Sequence, residues 1–315
     1  MTRTSPTTAD HEAAPRIAPV PTEQRRAALE RLGRSGVAIS DEQARRLTEA
    51  AEGLGVDFDQ LWGAFDAAGG LEAVALLVYR PGRTAMVFNS QPRTSDDVPT
   101  LAALLDRVTA AADPGRASLV QALVSPDDRL ELQGLAEGGY EHLAELQYMQ
   151  RSIPRRPPKP RDLPPGVGLE AYEASRQEAF IQALERSYIE TRDCPKIRGM
   201  RRTADVLEGH MNGGRFEPEL WTLVREGGEP RGLMLLNLGE QLVLELTYLG
   251  LGPELRGRGI AAGLLERAMR QARDRGVRTM SLAVDTNNGA AMGLYHRLGF
   301  YRIARRVAMV RRVSV

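Results

Sequence analysis

The amino-acid sequence contains an internal repeat at an offset of 160 positions. The offset places Gly139 on Gly299, and it aligns the run SLVQALV with RTMSLAV. Identities are sparse, but the register holds almost without gaps across a whole half of the 315 residues. A register shared over that length indicates two copies of one domain. Two unrelated α/β domains remain the alternative.

A proline-rich segment separates the two copies. Residues 153–166 read IPRRPPKPRDLPPG, and proline removes the amide donors that helices and central strands need. We therefore expect a stiff linker here. The resulting division is a disordered tail at 1–15, rich in Ser, Thr and Pro, a first domain at 16–152, the linker, and a second domain at 167–315.

Hydrophobic periodicity predicts a mixed α/β fold in each copy. In the second copy, Phe180, Leu184 and Tyr188 recur at helical spacing, whereas the run QLVLELTYLGL is typical of a strand. The predicted order is strand, two helices, three strands, helix, strand, helix, strand, and the first copy follows the same order. We expect a mixed sheet flanked by helices.

The stretch RGRGIA, residues 256–261, lies where a strand is predicted to turn into a helix. Glycine lets a backbone approach a ligand closely. Unpaired amides and the helix dipole make the start of a helix attractive to anions. We therefore expect a phosphate site in which the arginine side chains are secondary to the backbone amides. An ordinary glycine-rich turn is the alternative.

With these residues, the second copy resembles the GNAT superfamily of acyl-CoA N-acyltransferases. The family signature at such a turn is (Q/R)xxGx(G/A), which residues 256–261 match. A second signature, NxxAxxLYxxxGF, follows the next strand without departure. Its residues are Asn288, Ala291, Leu294, Tyr295, Gly299 and Phe300. Two independent signatures in this order identify the second copy as a member of the family, so we expect two tandem GNAT-fold domains.

The resemblance implies acetyl-CoA as co-substrate and no metal. In the family, the strand before the turn pairs its backbone with pantetheine, and the amides of the turn hold the pyrophosphate. Asn288 is expected to contact the coenzyme, with a helix cap as the alternative. The implied coenzyme-binding residues are Leu249, Gly250, Leu251, Arg256, Gly257, Arg258, Gly259, Ile260, Ala261, Asn288 and Tyr295.

The resemblance also implies two catalytic residues that transfer protons. Glu245 stands where several family members carry a glutamate that deprotonates the amine through water. A base is required because an ammonium cannot attack a thioester. A solvated strand residue is the alternative for Glu245. Tyr295 corresponds to the family tyrosine that protonates the departing thiolate of coenzyme A or hydrogen-bonds its sulfur, with packing as the alternative.

The first copy lacks this chemistry at the equivalent positions. Ala85 and Leu135 stand where the second copy has its two proton-transfer residues, and Asp96, Asp97 and Pro99 occupy the turn. Carboxylates repel a pyrophosphate, and proline has no amide to donate. We therefore predict that the first domain is a degenerate, non-catalytic GNAT-like copy that supports the active half or helps to shape the acceptor pocket.

Composition excludes several classes of function. A net charge of +1 argues against a protein that grips nucleic acid or an anionic membrane, and the apolar runs are far shorter than a membrane span. Cys194 is the single cysteine, which excludes a disulfide framework and fits a reducing compartment. The four histidines show no metal-ligand spacing. We expect a cytoplasmic protein without metal, nucleic acid or membrane partners.

The sequence therefore predicts an N-acetyltransferase that moves an acetyl group from acetyl-CoA to a primary amine of a small molecule or peptide by direct attack. Two GNAT domains with one active half resemble the architecture of mycothiol synthases. An acyl-CoA-binding sensor without turnover is the alternative function. We expect a monomer whose two domains form an internal pseudo-dimer.

Overall fold

A computed structural model describes residues 15–32, 57–157, 159–239 and 242–314. The tail predicted from the sequence falls almost wholly on residues 1–14, which lie outside the described residues. The predicted linker contains no helix or strand in its described part. None of the helices in the described residues has the length and apolar character that a bilayer crossing requires.

The described elements are strands and α-helices joined by turns and short 3-10 helices. The strands are β1 (Arg16–Pro19), β2 (Leu61–Phe65), β3 (Leu71–Arg80), β4 (Thr84–Asn89), β5 (Leu119–Val124), β6 (Glu141–Ser152), β7 (Val167–Ala171), β8 (Arg215–Phe216), β9 (Thr222–Glu226), β10 (Glu229–Leu238), β11 (Val243–Leu251), β12 (Thr279–Asp285) and β13 (Tyr301–Arg312). The α-helices are α1 (Arg25–Leu32), α2 (Val98–Ala110), α3 (Arg129–Glu137), α4 (Gln177–Ser187), α5 (Thr203–Met211), α6 (Ile260–Asp274) and α7 (Gly289–Arg297).

The internal repeat is visible in the elements themselves. β5 and β12, α3 and α7, and β6 and β13 each begin 160 positions apart. Gly139 and Gly299, which end the equivalent helices, share a left-handed φ of 82°. The second copy has the predicted order of elements, with the two-residue strand β8 as an addition.

The chain divides into two compact units, which do not follow the two sequence copies. The first unit comprises residues up to 78, together with 87–111 and 133–139, and the second unit comprises the rest. Strands of both copies are therefore present in the second unit. The domain limits at 16–152 and 167–315 stay a prediction from the sequence.

In the first unit, β1, β2 and β3 form antiparallel pairs in that order. Their core is built from Phe58, Leu61, Phe65 and Val74. In the second unit, which contains residues 84–86 of β4, the strand order is β4-β5-β13-β6-β12-β11-β10-β9-β7, with β8 beside β10. Mixed pairing is present, because β11 runs parallel to β12 whereas β6 runs antiparallel to it.

The final strands of the two copies are exchanged within the second unit. β6, from the first copy, pairs with β12 of the second copy. β13, from the second copy, pairs with β5 of the first copy and also with β6. Each copy therefore completes the sheet of the other, and the second copy has no neighbour for β12 on that side without β6.

Two hydrophobic clusters cover opposite faces of the second unit's sheet. On one face, Leu246, Met280 and Tyr295 pack with the buried side of α6. On the other face, Phe180 and Leu233 pack in a cluster that includes α4 and α5. Because successive strand residues point to opposite faces, β9 and β10 contribute to both clusters. We call these surfaces the α6 face and the α4 face.

Candidate active site

The sheet opens between β11 and β12. The two strands pair in parallel over four residues only, ending with Leu246 opposite Leu282. β12 goes on pairing with β6 as far as Asp285. In the described part of the chain, no strand pairs with this edge of β11 beyond Leu246. The strands therefore enclose a V-shaped opening, which we call the splay.

A bulge in β11 marks the start of the splay. Thr247 has no partner in the register with β10, which pairs Leu246 before it and Tyr248 after it. A bulge bends its strand and increases the local twist. The predicted pantetheine-pairing residues, Leu249, Gly250 and Leu251, follow on the strand edge that β12 leaves uncovered. Such an edge can take an extended ligand much as it would take another strand.

The predicted phosphate turn joins β11 to α6. Gly257 (φ 74°) and Gly259 (φ 77°) both have a left-handed backbone, which glycine adopts without strain. Gly259 is the N-cap of α6, and no side chain caps the helix. Ile260 and Ala261 open the helix, and Ile260 is buried on the α6 face. The first amides of a 15-residue helix are therefore left to a ligand or to water.

Both arginines of this turn are engaged elsewhere in the protein. Arg256 donates from Nη2 to the carbonyl oxygens of Ser187 and Ile189, at 3.1 and 2.6 Å. Arg258 forms an ion pair with Glu226 at 2.5 Å. These contacts hold the turn against α4 and β9, and they fit the expectation that the amides, rather than the arginine side chains, are its main anion ligands.

Glu245 lies just before the splay, on the α4 face. Its neighbours Leu244 and Leu246 belong to the α6-face cluster, so the alternation of the strand directs Glu245 the other way. Its side chain keeps contact with solvent, yet the surrounding protein desolvates the carboxyl group and raises its pKa. Asn237, its partner on β10, accepts a hydrogen bond from Trp221 Nε1 at 3.0 Å and so fixes this wall of the site.

Tyr295 lies on α7 and is only 6% exposed. Its ring meets Phe300 edge to face, with the centroids 5.7 Å apart. Among the described residues, its hydroxyl has no hydrogen-bond partner. Burial raises the pKa of the phenol, and the Asp193 carboxylate raises it further. The phenol is therefore protonated at neutral pH, and its proton is available to a ligand.

The structure places Glu245 and Tyr295 on opposite faces of the sheet. They do not contact each other, and the splay is the passage between their two faces. A base on one side and an acid on the other fit a reaction in which one group loses a proton while a different group gains one.

Asn288 is the N-cap of α7. Its Oδ1 accepts a hydrogen bond from the amide of Ala291 at 3.3 Å. The structure thus contains the cap that the sequence offered as the alternative. Because the cap uses only the oxygen, the amide nitrogen of Asn288 remains a donor for the expected coenzyme contact.

Asp193, which no sequence motif had indicated, lies in the loop after α4 and contacts the end of β12. Its Oδ1 accepts a hydrogen bond from the amide of Asp285 at 3.2 Å, and Asp285 Oδ2 accepts one from the amide of Cys194 at 3.1 Å. Asp193 raises the pKa of Tyr295 and of Tyr248, both of which burial raises more strongly. Its charge therefore acts on phenols of both faces. The left-handed φ of 43° at Cys194 shows a tight turn, for which the run DCP was the available signal.

Cys194 and His210 do not have the ionisation states that catalysis would require of them. Burial raises the pKa of the Cys194 thiol to about 12, so the thiolate nucleophile does not form near neutral pH. Burial lowers the pKa of His210 to about 4, which makes the neutral imidazole a weak base. His210 instead packs on Tyr248, with the rings 5.5 Å apart.

The first copy contributes Tyr148 to the surroundings of Glu245. Tyr148 lies on β6 between Ala283 of β12 and Ala304 of β13. Its neighbour Met149 belongs to the α6-face cluster, so Tyr148 points to the α4 face, as Glu245 does. Burial raises the pKa of the phenol, the Arg306 guanidinium opposes that rise, and the Glu245 carboxylate adds to it. Sequence reasoning missed this residue because its position depends on the exchange of strands.

Residues 171–300 match the model of the Acetyltransferase (GNAT) family. The match includes the splay, the phosphate turn and both predicted catalytic residues. Residues 171–300 form a GNAT acetyltransferase domain. In the described residues, no group of three or more His, Cys, Asp or Glu side chains could hold a metal ion in this domain or outside it.

The similarity to curated relatives continues beyond the GNAT domain into the first copy. The chain is 27% identical over 290 residues to a mycothiol acetyltransferase of Streptomyces bingchenggensis, covering 83% of this chain and 89% of that protein. It is 28% identical over 174 residues to a mycothiol acetyltransferase of Catenulispora acidiphila, covering 53% of this chain and 54% of that protein. The second match therefore spans about half the length of that relative.

A solved structure shares the fold of the chain. The GCN5-related N-acetyltransferase from Sphaerobacter thermophilus has a TM-score of 0.59 at 21% identity, covering 93% of this chain and 91% of that one. The predicted mixed α/β GNAT fold is confirmed, and the family match confirms a GNAT acetyltransferase domain at residues 171–300. The individual site residues stay predictions, which the geometry above makes specific.

Proposed function

We propose that the second copy transfers an acetyl group from acetyl-CoA to a primary amine of a small molecule by direct attack. The splay carries this proposal, because it lies next to an uncapped helix start and between a carboxyl group and a phenol. The relatives named mycothiol acetyltransferase support a small-molecule acceptor.

The coenzyme would lie along two neighbouring features. Residues 249–251 offer an uncovered strand edge to the amide groups of pantetheine. The amides that follow Gly257 and Gly259 offer hydrogen bonds and the positive end of the helix dipole to the pyrophosphate. Asn288 supplies an amide donor on the opposite side of the splay.

Glu245 is the proposed general base. The amine must lose a proton to attack, and the burial that raises the pKa of Glu245 makes its carboxylate a stronger base than an ordinary glutamate. The proton passes from the amine to Glu245 through water while the new C–N bond forms. His210, whose pKa is lowered to about 4, is the weaker candidate on the same face.

Tyr295 is the proposed general acid. As the C–S bond of the thioester breaks, the departing thiolate takes the phenol proton, and the acetyl group remains on the amine nitrogen. The raised pKa keeps the phenol protonated until that step. After product release, Glu245 gives its proton to solvent and Tyr295 takes one from solvent, which restores both groups.

The first copy is proposed to be non-catalytic. In the first unit, the Asp97 carboxylate accepts hydrogen bonds from the amides of Arg93 and Thr94, at 2.7 and 2.9 Å. These bonds hold the pKa of Asp97 below its usual range, so it stays charged. A fixed negative charge thus stands at the start of α2, where the second copy has its phosphate turn.

The test is binding of acetyl-CoA to the purified chain, followed by release of free thiol with a panel of small primary amines. We expect binding and amine-dependent thiol release. Binding without turnover across the panel would favour an acyl-CoA sensor, and absence of binding at millimolar acetyl-CoA would refute the proposal. A parallel peptide panel with the same readout tests the restriction to small molecules.

A further inference from the structure

The linker between the two copies is attached to the start of α6 by Arg161. The backbone amide of Arg161 donates to Glu266 Oε2 at 2.9 Å, and its carbonyl oxygen accepts from Arg267 at 3.3 Å. The side chain then runs along the helix towards its N-terminus. Methyl groups built on Gly263 and Gly259 would lie 3.1 and 3.8 Å from the nearest Arg161 atoms. Arg161 therefore ends beside the phosphate turn.

The guanidinium group is held in one orientation. Nη2 and Nε of Arg161 both donate to Glu266, at 2.6 and 3.1 Å. The Glu266 side chain is only 7% exposed, whereas that of Arg161 is 51% exposed. A charged fork bound on two of its nitrogens loses little further freedom when a third nitrogen binds a ligand.

The remaining nitrogen is directed at the turn. Nη1 of Arg161 has no hydrogen-bond acceptor among the described residues, and it is one of the two atoms closest to a methyl group built on Gly259. The turn's own arginines are bound by the carbonyl oxygens of residues 187 and 189 and by Glu226. Arg161 thus brings a further guanidinium group to the turn, fixed on Glu266 and with Nη1 directed at Gly259.

We propose that Arg161 binds the pyrophosphate of coenzyme A through Nη1, so that the linker forms part of the coenzyme site. This inference rests on the proposed function and adds a ligand from outside the GNAT domain at 171–300. Glu266 acts as a positioning residue, because it touches Arg161 and not the ligand. Gly263 leaves room for the arginine side chain, since a methyl group there would press on it.

The experiment is calorimetric titration of the full chain with coenzyme A and with dephospho-coenzyme A, which keeps the pyrophosphate and lacks the 3′-phosphate. Arg161→Ala is expected to lower the affinity for both ligands by roughly tenfold or more, because a charged hydrogen bond is lost. Arg161→Lys should recover part of the affinity. Arg155→Ala, which changes an exposed arginine of the same linker, is the matched control and should bind as the unaltered chain does.

Three results would overturn the inference while the proposed function stands. They are unchanged affinity of Arg161→Ala, a loss seen with coenzyme A but not with dephospho-coenzyme A, and an equal loss in Arg155→Ala. If Arg161→Ala does not fold, Gly263→Ala is titrated in its place. We expect Gly263→Ala to bind coenzyme A more weakly, and unchanged binding would contradict the inference. An unaltered chain that binds neither ligand would overturn the proposed function together with this inference.

Discussion

At the scale of single residues, the Tyr295 hydroxyl can be removed with little disturbance of packing. Tyr295→Phe keeps the ring against Phe300, and among the described residues it breaks no hydrogen bond. We expect kcat to fall by about 100-fold, since general acids contribute factors of this order. The affinity for coenzyme A and the melting temperature should change little. Rate measurements beside calorimetric titration check this, and equal losses in rate and affinity would make Tyr295 a binding residue.

Glu245 gives a second prediction at the same scale, on pH. Its pKa is raised by burial, so kcat/KM should fall as the pH drops through a value above the ordinary glutamate pKa of about 4.3. Glu245→Gln should lower kcat by roughly 100-fold and abolish this acid limb. A pH profile of kcat/KM for both forms is the measurement, and an unchanged profile in the variant would assign the base elsewhere.

Glu245→Gln is expected to lower activity without lowering the stability of the fold. A carboxyl group whose pKa is raised on folding favours the folded state at low pH, and this contribution is lost as the pH rises through the raised pKa. At neutral pH Glu245 therefore opposes folding, and Glu245→Gln should melt at the same or a higher temperature. Lower stability of the variant would show that its loss of activity is a folding defect.

At the scale of the element, the start of α7 separates capping from coenzyme binding. Asn288→Asp keeps an oxygen for the amide of Ala291 but removes the amide donor, whereas Asn288→Ala removes both. We expect Asn288→Ala to lower the free energy of unfolding by about 1 kcal/mol and Asn288→Asp to leave it near its original value. Both variants should bind coenzyme A more weakly, because each has lost the amide donor. Denaturant unfolding and calorimetry check the pair, and unweakened binding in Asn288→Asp would reduce Asn288 to a cap.

At the scale of the whole molecule, the exchange of final strands makes the second copy depend on the first. Residues 153–315 alone lack β6, the antiparallel neighbour of β12, so seven residues of β12 would become an open edge beside the splay. We expect this fragment to be insoluble or inactive. A full chain with a protease site between the exposed Arg155 and Arg156 is the control, because cleavage there leaves β6 in place. Solubility and acetyl transfer are measured, and a soluble, active fragment would contradict the prediction.

Features that depend on local chain chemistry could be predicted from the sequence. The repeat offset of 160 recurs in the first residues of β6 and β13, and the turn predicted at residues 256–261 joins a strand to a helix. Asn288 capping α7 was foreseen as one of two possibilities. In each case the deciding interactions join residues a few positions apart, so a short pattern contains them.

The repeat offset, the turn between strand and helix and the two signatures are present in the amino-acid sequence, and from them the two-copy organisation is predicted. The pairing of the strands, the point where β11 leaves β12, and the approach of Tyr148, Asp193 and Arg161 to the site follow from the folded chain and not from any short pattern. The physical reason is that strand pairing joins residues more than 100 positions apart through backbone groups that every residue possesses. The side chains of a strand therefore do not identify its partner, whereas the folded sheet does.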